Sequence, residues 1–337
     1  MDSYISKNTL QEKIIRRIED GGGAIPFAEY MDLCLYEPDH GYYTSERTKL
    51  GKDGDFYTSA FIGGFMGMCI ARKLADAARK LERRDPPFTV IEWGGGDGRL
   101  AEAILNELQA SFPELYEGLR WIGTESSPHH RSAQEARLAA VHAEKVAGIV
   151  PPDSELVEQA LRAGSSMIVA NELLDAFPVH RLRYGVDGWK EIYVTWNGET
   201  GAFEERTGPY SRQDLLPLIS GLPGRRGQTI EVGCAALDWI REIGERLTSG
   251  GMLLIDYGDV TAELIAPHRM NGTLMTYRQH HASDQVYLDP GERDITSHVN
   301  FEWVMQAAEA SGFQELRLCT QKQFLVEQGL LEQLREH

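Results

Sequence analysis

Thr89-Val-Ile-Glu-Trp-Gly-Gly-Gly-Asp-Gly-Arg-Leu100 is the stretch on which the fold turns. Five β-prone residues run into a cluster of glycines, after which Leu100, Ile104, Leu105 and Leu108 recur at the spacing of one helix face. Strand, glycine turn and helix in that order bring backbone N–H groups and a helix N-terminus close to a nucleotide-like ligand. The glycine spacing selects among such ligands. A dinucleotide fingerprint needs G-x-G-x-x-G, and counting from Gly94 and Gly96 puts Arg99 where the third glycine belongs. The loop instead reads Glu92-x-Gly94-x-Gly96-x-Gly98, with no cradle for a diphosphate. A turn of that form lets the backbone approach the methionine and ribose portions of S-adenosylmethionine, with Glu92 available to orient the amino-acid end. A tight turn that binds nothing is the alternative, and the flanking strand and helix speak against it.

Working outward, residues 119–124 read as a second strand that ends at Glu125, an acid able to accept hydrogen bonds from both hydroxyls of a ribose. NAD would use such an acid too, so the glycine spacing, not Glu125, separates methyl transfer from hydride transfer. Residues 166–170 form another buried apolar run ending at Asn171-Glu172, followed by Leu-Leu-Asp175-Ala-Phe-Pro178. Ligands of open α/β sheets sit beyond the carboxyl ends of the strands, which points these polar side chains at a site. Helix capping by Asn171, with Glu172 and Asp175 in a first turn, is the competing reading.

Leu10, Ile14, Ile15 and Ile18 predict an amphipathic helix ended by Gly21-Gly-Gly23, and Pro26 opens a second helix that stops before Pro38. Residues 37–64 have no sustained period and read as an ordered loop, of the kind that often carries function. A helix is expected over 64–82. Residues 189–196 and 202–206 flank Asn197-Gly198 and predict a protruding hairpin. Residues 231–247 read as a helix, 252–256 as a buried strand, 272–298 as a loop and 313–319 as a final strand.

The chain has 337 residues, 42% hydrophobic and 25% charged, which is ordinary for a globular protein with a sizeable core. Its formal net charge of -17 argues against a nucleic-acid partner, because phosphate recognition relies on clustered Lys and Arg, and it suits a cationic substrate. No apolar run approaches the length of a membrane span, and the N-terminus resembles no targeting segment, so a cytoplasmic location is expected. Cys34, Cys69, Cys234 and Cys319 are widely spaced and read as small buried hydrophobes, with no metal cage in prospect. Nothing in the sequence speaks to oligomeric state.

Several segments together resemble one family. Tyr36 to Tyr43, Gly54-Asp-Phe-Tyr-Thr-Ser59, Glu92 to Leu100, Glu125-Ser-Ser-Pro128, Ala170-Asn-Glu172 through Pro178, Asp256-Tyr-Gly258, Gly272-Thr273 and Asp294-Ile-Thr-Ser-His-Val299 look like the MidA-like methyltransferases. These are bacterial relatives of the mitochondrial complex I assembly factor that methylates a protein arginine. The likeness spans nearly the whole chain, in order, and departs from the family pattern after Ser59. There a proline and an acid would be expected, and the chain has Ala60-Phe61-Ile62.

The resemblance implies an α/β fold with a Rossmann-like, seven-stranded class I methyltransferase core. Residues 1–87 would be an N-terminal helical cap and substrate loop, and 88–337 the S-adenosylmethionine domain with an insertion around 180–225. It further implies a cofactor set of Glu92, Gly94, Gly96, Gly98, Glu125, Ser126 and Asn171. The acceptor would be met by Tyr43, Phe56, Thr58, Ser59, Tyr257 and His280, with Glu172, Asp55 and Asp175 as the carboxylates that hold a guanidinium. Tyr42 and Tyr57 would add to an aromatic wall, and His298 could orient a loop, although aromatics are more often core and histidines more often structural. Besides a protein arginine methyltransferase, two other classes fit the residues: a small-molecule N- or O-methyltransferase on the same core, and a non-catalytic assembly factor that keeps the fold.

Overall fold

The structure, a computed structural model, describes residues 8–45, 60–81, 87–279 and 281–336. Asp55, Phe56, Tyr57, Thr58, Ser59 and His280 lie outside the described residues. The chain divides into two compact units. One comprises Arg47–Leu173, Glu242–Ile255 and Ser311–His337, the other Met1–Glu46, Leu174–Arg241 and Asp256–Ala310.

The first unit is built on a five-stranded parallel sheet ordered Gly250–Ile255, Ser166–Asn171, Thr89–Trp93, Arg120–Thr124, Val146–Val150. This is the expected α/β fold with a parallel sheet, but among the described residues that sheet has five strands where seven were expected. Sheets of this kind are covered on both faces, so their central strands are almost wholly apolar. Every residue of Thr89–Trp93 is buried, and Ser166–Asn171 is buried up to its last position. Helices Ala60–Lys80, Arg99–Ser111, Pro128–His142 and Glu155–Ala163 belong to the same unit. Its core joins Cys69, Ile70 and Leu74 to Ile104, Leu105 and Leu108, over Val90, Trp121 and Val169 of the sheet. The segment 313–319, expected as a last strand, is irregular. Its alternating leucines find no face to cover: Leu316 and Leu318 are 37% and 43% exposed.

The second unit carries a five-stranded antiparallel sheet in which Gly188–Asn197 pairs with Ile25–Pro26, His180–Gly185 and Ala202–Gly208, and His180–Gly185 pairs with Thr229–Val232. The expected hairpin is therefore present, with Asn197 opposite Ala202, and its two strands belong to this antiparallel sheet. Thr229–Val232 is a strand where a helix start was expected. Its β-branched residues pack well against a neighbouring strand, and the helix begins only at Cys234–Arg246. The expected loop over 272–298 holds a small antiparallel sheet of His281–Ser283, Met275–Arg278 and Asp294–Thr296. Strands this short leave no readable alternation in the sequence.

Helices Asn8–Asp20 and Phe27–Tyr36 pack Leu10, Ile14 and Ile18 with Phe27, Tyr30, Met31 and Leu35 in the core of this unit. Cys34, Cys69 and Cys234 are buried, and burial pushes the Cys34 and Cys234 thiols up to about 12 and that of Cys69 to about 11. No helix among the described residues is long and apolar enough to cross a membrane.

Helices Ala60–Lys80 and Arg99–Ser111 approach closely at Gly67, where a Cβ would lie 2.6 Å from Ala103 Cβ and 3.0 Å from its carbonyl carbon. Gly64, on the same helix, has open space around it. Replacing a helical glycine by alanine gains roughly 0.5–1 kcal/mol of propensity, whereas overpacking costs about 1–3 kcal/mol. Gly64→Ala is thus expected to stabilise the chain and Gly67→Ala to destabilise it. Chemical denaturation checks the pair, and a stabilising Gly67→Ala would disprove the close approach.

Candidate active site

The glycine turn leaves strand Thr89–Trp93 with Gly94, Gly96 and Gly98 at φ of 74°, 55° and 80°. Left-handed backbone at alternate positions is costly for residues with a Cβ and free for glycine. The Gly94 N–H donates to the Thr124 carbonyl at 2.8 Å, tying the turn to the neighbouring strand, and Gly98 is the N-cap of helix Arg99–Ser111.

Glu125, one residue beyond strand Arg120–Thr124, is buried and accepts the Gly96 N–H at 3.1 Å and the Ser127 N–H at 2.9 Å. Burial raises its pKa, and the N–H groups of Ser127, Gly96 and Ser126 oppose the rise. A carboxylate accepts about four hydrogen bonds, so capacity for a hydroxyl is left over. Ser126 is exposed, and its carbonyl accepts from Arg131.

Glu92 lies inside the sheet, 2% exposed, with Oε2 accepting from Gln134 Nε2 at 2.8 Å. Oε1 is buried with no hydrogen-bond partner among the described residues. Burial first, and then the charge of Glu125, push its pKa up to about 8. An unsatisfied buried carboxylate oxygen is costly and calls for a donor from outside the chain. An ammonium group would supply one, which fits the methionine end of S-adenosylmethionine.

Strand Ser166–Asn171 ends in half-buried Asn171 and exposed Glu172. Glu172 has a φ of 50°, and its N–H donates to the Ile255 carbonyl at 2.8 Å. Non-glycine residues held in that region are uncommon and gather at functional sites.

In the second unit the chain makes the short 3-10 turn Leu174–Ala176, which contains Asp175, 8% exposed. Asp256 Oδ2 accepts the N–H groups of Leu174 and Asp175 at 2.8 and 3.3 Å, and Oδ1 accepts that of Tyr257. The Asp175 carbonyl accepts the Ser297 N–H at 2.9 Å. Tyr43 donates to Asp294 Oδ1 at 2.8 Å and stacks on Tyr36, whose hydroxyl donates to the Ala176 carbonyl at 3.0 Å. Burial raises the Tyr43 pKa, with the charges of Asp294 and Asp175 adding to it. Tyr43 and Asp175 are therefore brought together, whereas Tyr257 is 61% exposed. His298 lines a cavity of about 20 Å³ with Leu174, Glu231, Ser297 and Trp303. Burial and the charge of Arg269 lower its pKa.

Sequence reasoning missed Arg131, Gln134, Arg137 and Asp256 as supports of these groups. Asp256 was marked only as part of the Asp256-Tyr-Gly258 segment, and Gln134, in the buried stripe His130, Gln134, Leu138, His142 of its helix, shows its burial only in the fold.

Comparison with known proteins agrees with this geometry. Residues 69–319 match the profile of a family described as "Putative S-adenosyl-L-methionine-dependent methyltransferase". The chain is 30% identical over 339 residues to the "Protein arginine methyltransferase NDUFAF7 homolog, mitochondrial" of Drosophila melanogaster, covering 92% of this chain and 71% of the fly protein. It is 26% identical over 336 residues to the "Protein arginine methyltransferase NDUFAF7, mitochondrial" of Mus musculus, covering 91% and 71%. A crystal structure of a superfamily member from Burkholderia thailandensis, bound to S-adenosyl-homocysteine, superposes with a TM-score of 0.87 at 29% identity, covering 99% of this chain and 84% of that one.

The raised pKa of Glu92 makes stability depend on pH. The folded chain holds a proton there up to about pH 8, whereas the unfolded carboxyl loses it near an ordinary value of about 4.3. The contribution to stability is full below the lower value and is lost as pH rises through the higher one, at no more than about 1.4 kcal/mol per pH unit. Glu92→Gln cannot ionise and is expected to flatten this fall. Urea unfolding between about pH 5 and about pH 8 reads the effect. Equal slopes in the two proteins would show that Glu92 titrates normally.

Proposed function

The chain belongs to the S-adenosyl-L-methionine-dependent methyltransferase family whose profile its residues 69–319 match, and from that premise we propose that it methylates an arginine of a protein. The observation that carries the acceptor is the likeness, over 92% of the chain, to a relative named as a protein arginine methyltransferase. The net charge of -17 supports a cationic acceptor, as does an exposed carboxylate, Glu172, standing at a strand end beyond a sheet of this class.

When bound, S-adenosylmethionine supplies a methyl group on a sulfonium, so the protein's part is alignment and the exclusion of water. Glu92 takes the ammonium of the donor and Glu125 a ribose hydroxyl, with the backbone of Gly94, Gly96 and Gly98 close against it. Ser126 and Asn171 complete that set. A guanidinium is a poor nucleophile because its lone pairs are delocalised and its pKa exceeds about 12. Glu172 answers this by pairing with two of its N–H groups, a bidentate contact that fixes the plane and draws the positive charge toward those nitrogens. The third nitrogen is then the one presented for methylation. Asp55 assists, and Phe56, Thr58 and Ser59 shape the acceptor's surroundings.

Glu172→Gln keeps the volume and loses the charge. Turnover is expected to fall about 100-fold or more while donor affinity stays within about twofold, since a charged hydrogen-bonding partner in a closed site is worth about 2–4 kcal/mol. The assay uses labelled donor on protein and metabolite fractions of a native lysate, with acid hydrolysis to identify methylarginine. Label in a neutral hydroxyl or carboxyl product would sink the arginine reading and leave the methyltransferase assignment standing.

A further inference from the structure

Helix Pro128–His142 presents Arg131, Gln134 and Arg137 at three-residue spacing, so they share one side of the helix. Each grips a different part of the glycine turn and its surroundings. Arg131 Nη1 donates to the carbonyls of Glu125 and Ser126 at 2.7 and 2.8 Å, and Arg137 Nε donates to the Asp97 carbonyl at 2.8 Å. Between them Gln134 donates to Glu92.

Gln134 is fully buried, and its Oε1 has no hydrogen-bond partner among the described residues. An amide in that condition is a net cost to the fold compared with an apolar side chain of its size. The backbone nonetheless makes room for it on three sides. A Cβ at Gly95 would overlap both Gln134 Nε2 and Glu92 Oε2, one at Gly98 would lie 2.8 Å from Gln134 Cγ, and one at Gly123 would lie 3.0 Å from both amide atoms. The glycines therefore admit a side chain of the protein as well as a ligand.

We propose that Gln134 is the positioning residue of the methyl-donor site, holding the Glu92 carboxylate so that its unpartnered Oε1 meets the ammonium group of S-adenosylmethionine. This rests on the reading of the glycine turn as the donor site. Gln134 touches no reacting atom in this scheme and acts only through Glu92.

The charged groups around Glu92 give the proposal a pH signature. Glu125 at the next strand end and Asp97 in the turn both favour its protonated form, and the Gln134 amide is what opposes them. The two guanidiniums on the same helix are engaged elsewhere, Arg131 by the Glu125 and Ser126 carbonyls and Arg137 by Asp97 and Glu102. Losing the amide donor thus raises the pH at which Glu92 ionises and can take an ammonium.

Gln134→Met keeps the volume and cannot donate, and Gln134→Ala removes the side chain. Calorimetric titration of the full chain with S-adenosylmethionine and with S-adenosyl-homocysteine, from about pH 6 to about pH 9, reads affinity, and thermal melting confirms the fold. Both variants are expected to bind about tenfold more weakly near neutral pH, with the low-pH limb of the profile moved upward by about one unit. A Gln134→Met protein with wild-type affinity and profile overturns the proposal. So does a weakening of equal size at every pH, which is what a purely structural role would give. Should Gln134→Met fail to fold, Gly123→Ala crowds the amide while leaving it in place, and an unshifted profile there would be equally fatal. A wild-type chain that binds neither ligand overturns the donor-site reading itself, an outcome distinct from any difference between variant and wild type.

Discussion

The donor side of the molecule depends on the parallel pairing of Thr89–Trp93 with a strand on either side. Trp93 is in register with Thr124 on one neighbour and Ala170 on the other. Because parallel strands all point the same way, their carboxyl ends share one edge, and Gly94, Glu125 and Asn171 are delivered there together. Register is what aims them. A slip of one residue would send every side chain of the strand to the opposite face and carry Glu92 away from Gln134. The unbroken burial of Thr89–Trp93 makes such a slip expensive.

The buried charges in the two units are handled in contrasting ways. In the antiparallel unit Arg181 pairs with Glu205, lies 3.8 Å from Glu231 and sits over the Phe27 ring, while Tyr287 donates to Glu205. Burial would raise the Glu205 pKa, but the charge of Arg181, the Tyr287 hydroxyl and Arg183 hold it below the ordinary carboxylate value. The Glu205 carboxylate is thus paired, although Arg181 Nε and Glu231 Oε1 are buried without a hydrogen-bond partner among the described residues. Among the described residues Glu92 has no cation beside it, only one amide, and burial raises its pKa. The difference between the two carboxylates is the cation: Glu205 has guanidiniums beside it, and Glu92 has an amide.

Much of this was legible in the chain because it is written locally. Strand Thr89–Trp93, its turn and helix Arg99–Ser111 announce themselves through consecutive apolar residues, glycines and a helical period. The acid at Glu125 and the polar Asn171-Glu172 end were found in the same way. Other features were hidden because they are decided by distant partners. Gln134 is polar within a helix, and only the third dimension shows that it is buried against glycines from two separate segments. Thr229–Val232 becomes a strand because His180–Gly185 lies beside it, whereas 313–319 pairs with no strand among the described residues. The role of Asp256 as the acceptor for the Leu174–Ala176 turn is likewise a matter of tertiary contact.

Glu172 combines a left-handed backbone with a side chain exposed to solvent. Geometry alone therefore restricts which residues can occupy position 172 before any chemistry is considered. Glycine, asparagine and aspartate enter that region at little cost, whereas valine, isoleucine and threonine pay for their branched Cβ. Drift at this position is channelled toward small or short polar residues, and each of these either shortens the reach of the carboxylate or removes it. Aspartate would keep the charge and ease the backbone but shorten the reach, so conformational ease and a long acidic side chain oppose each other at this strand end.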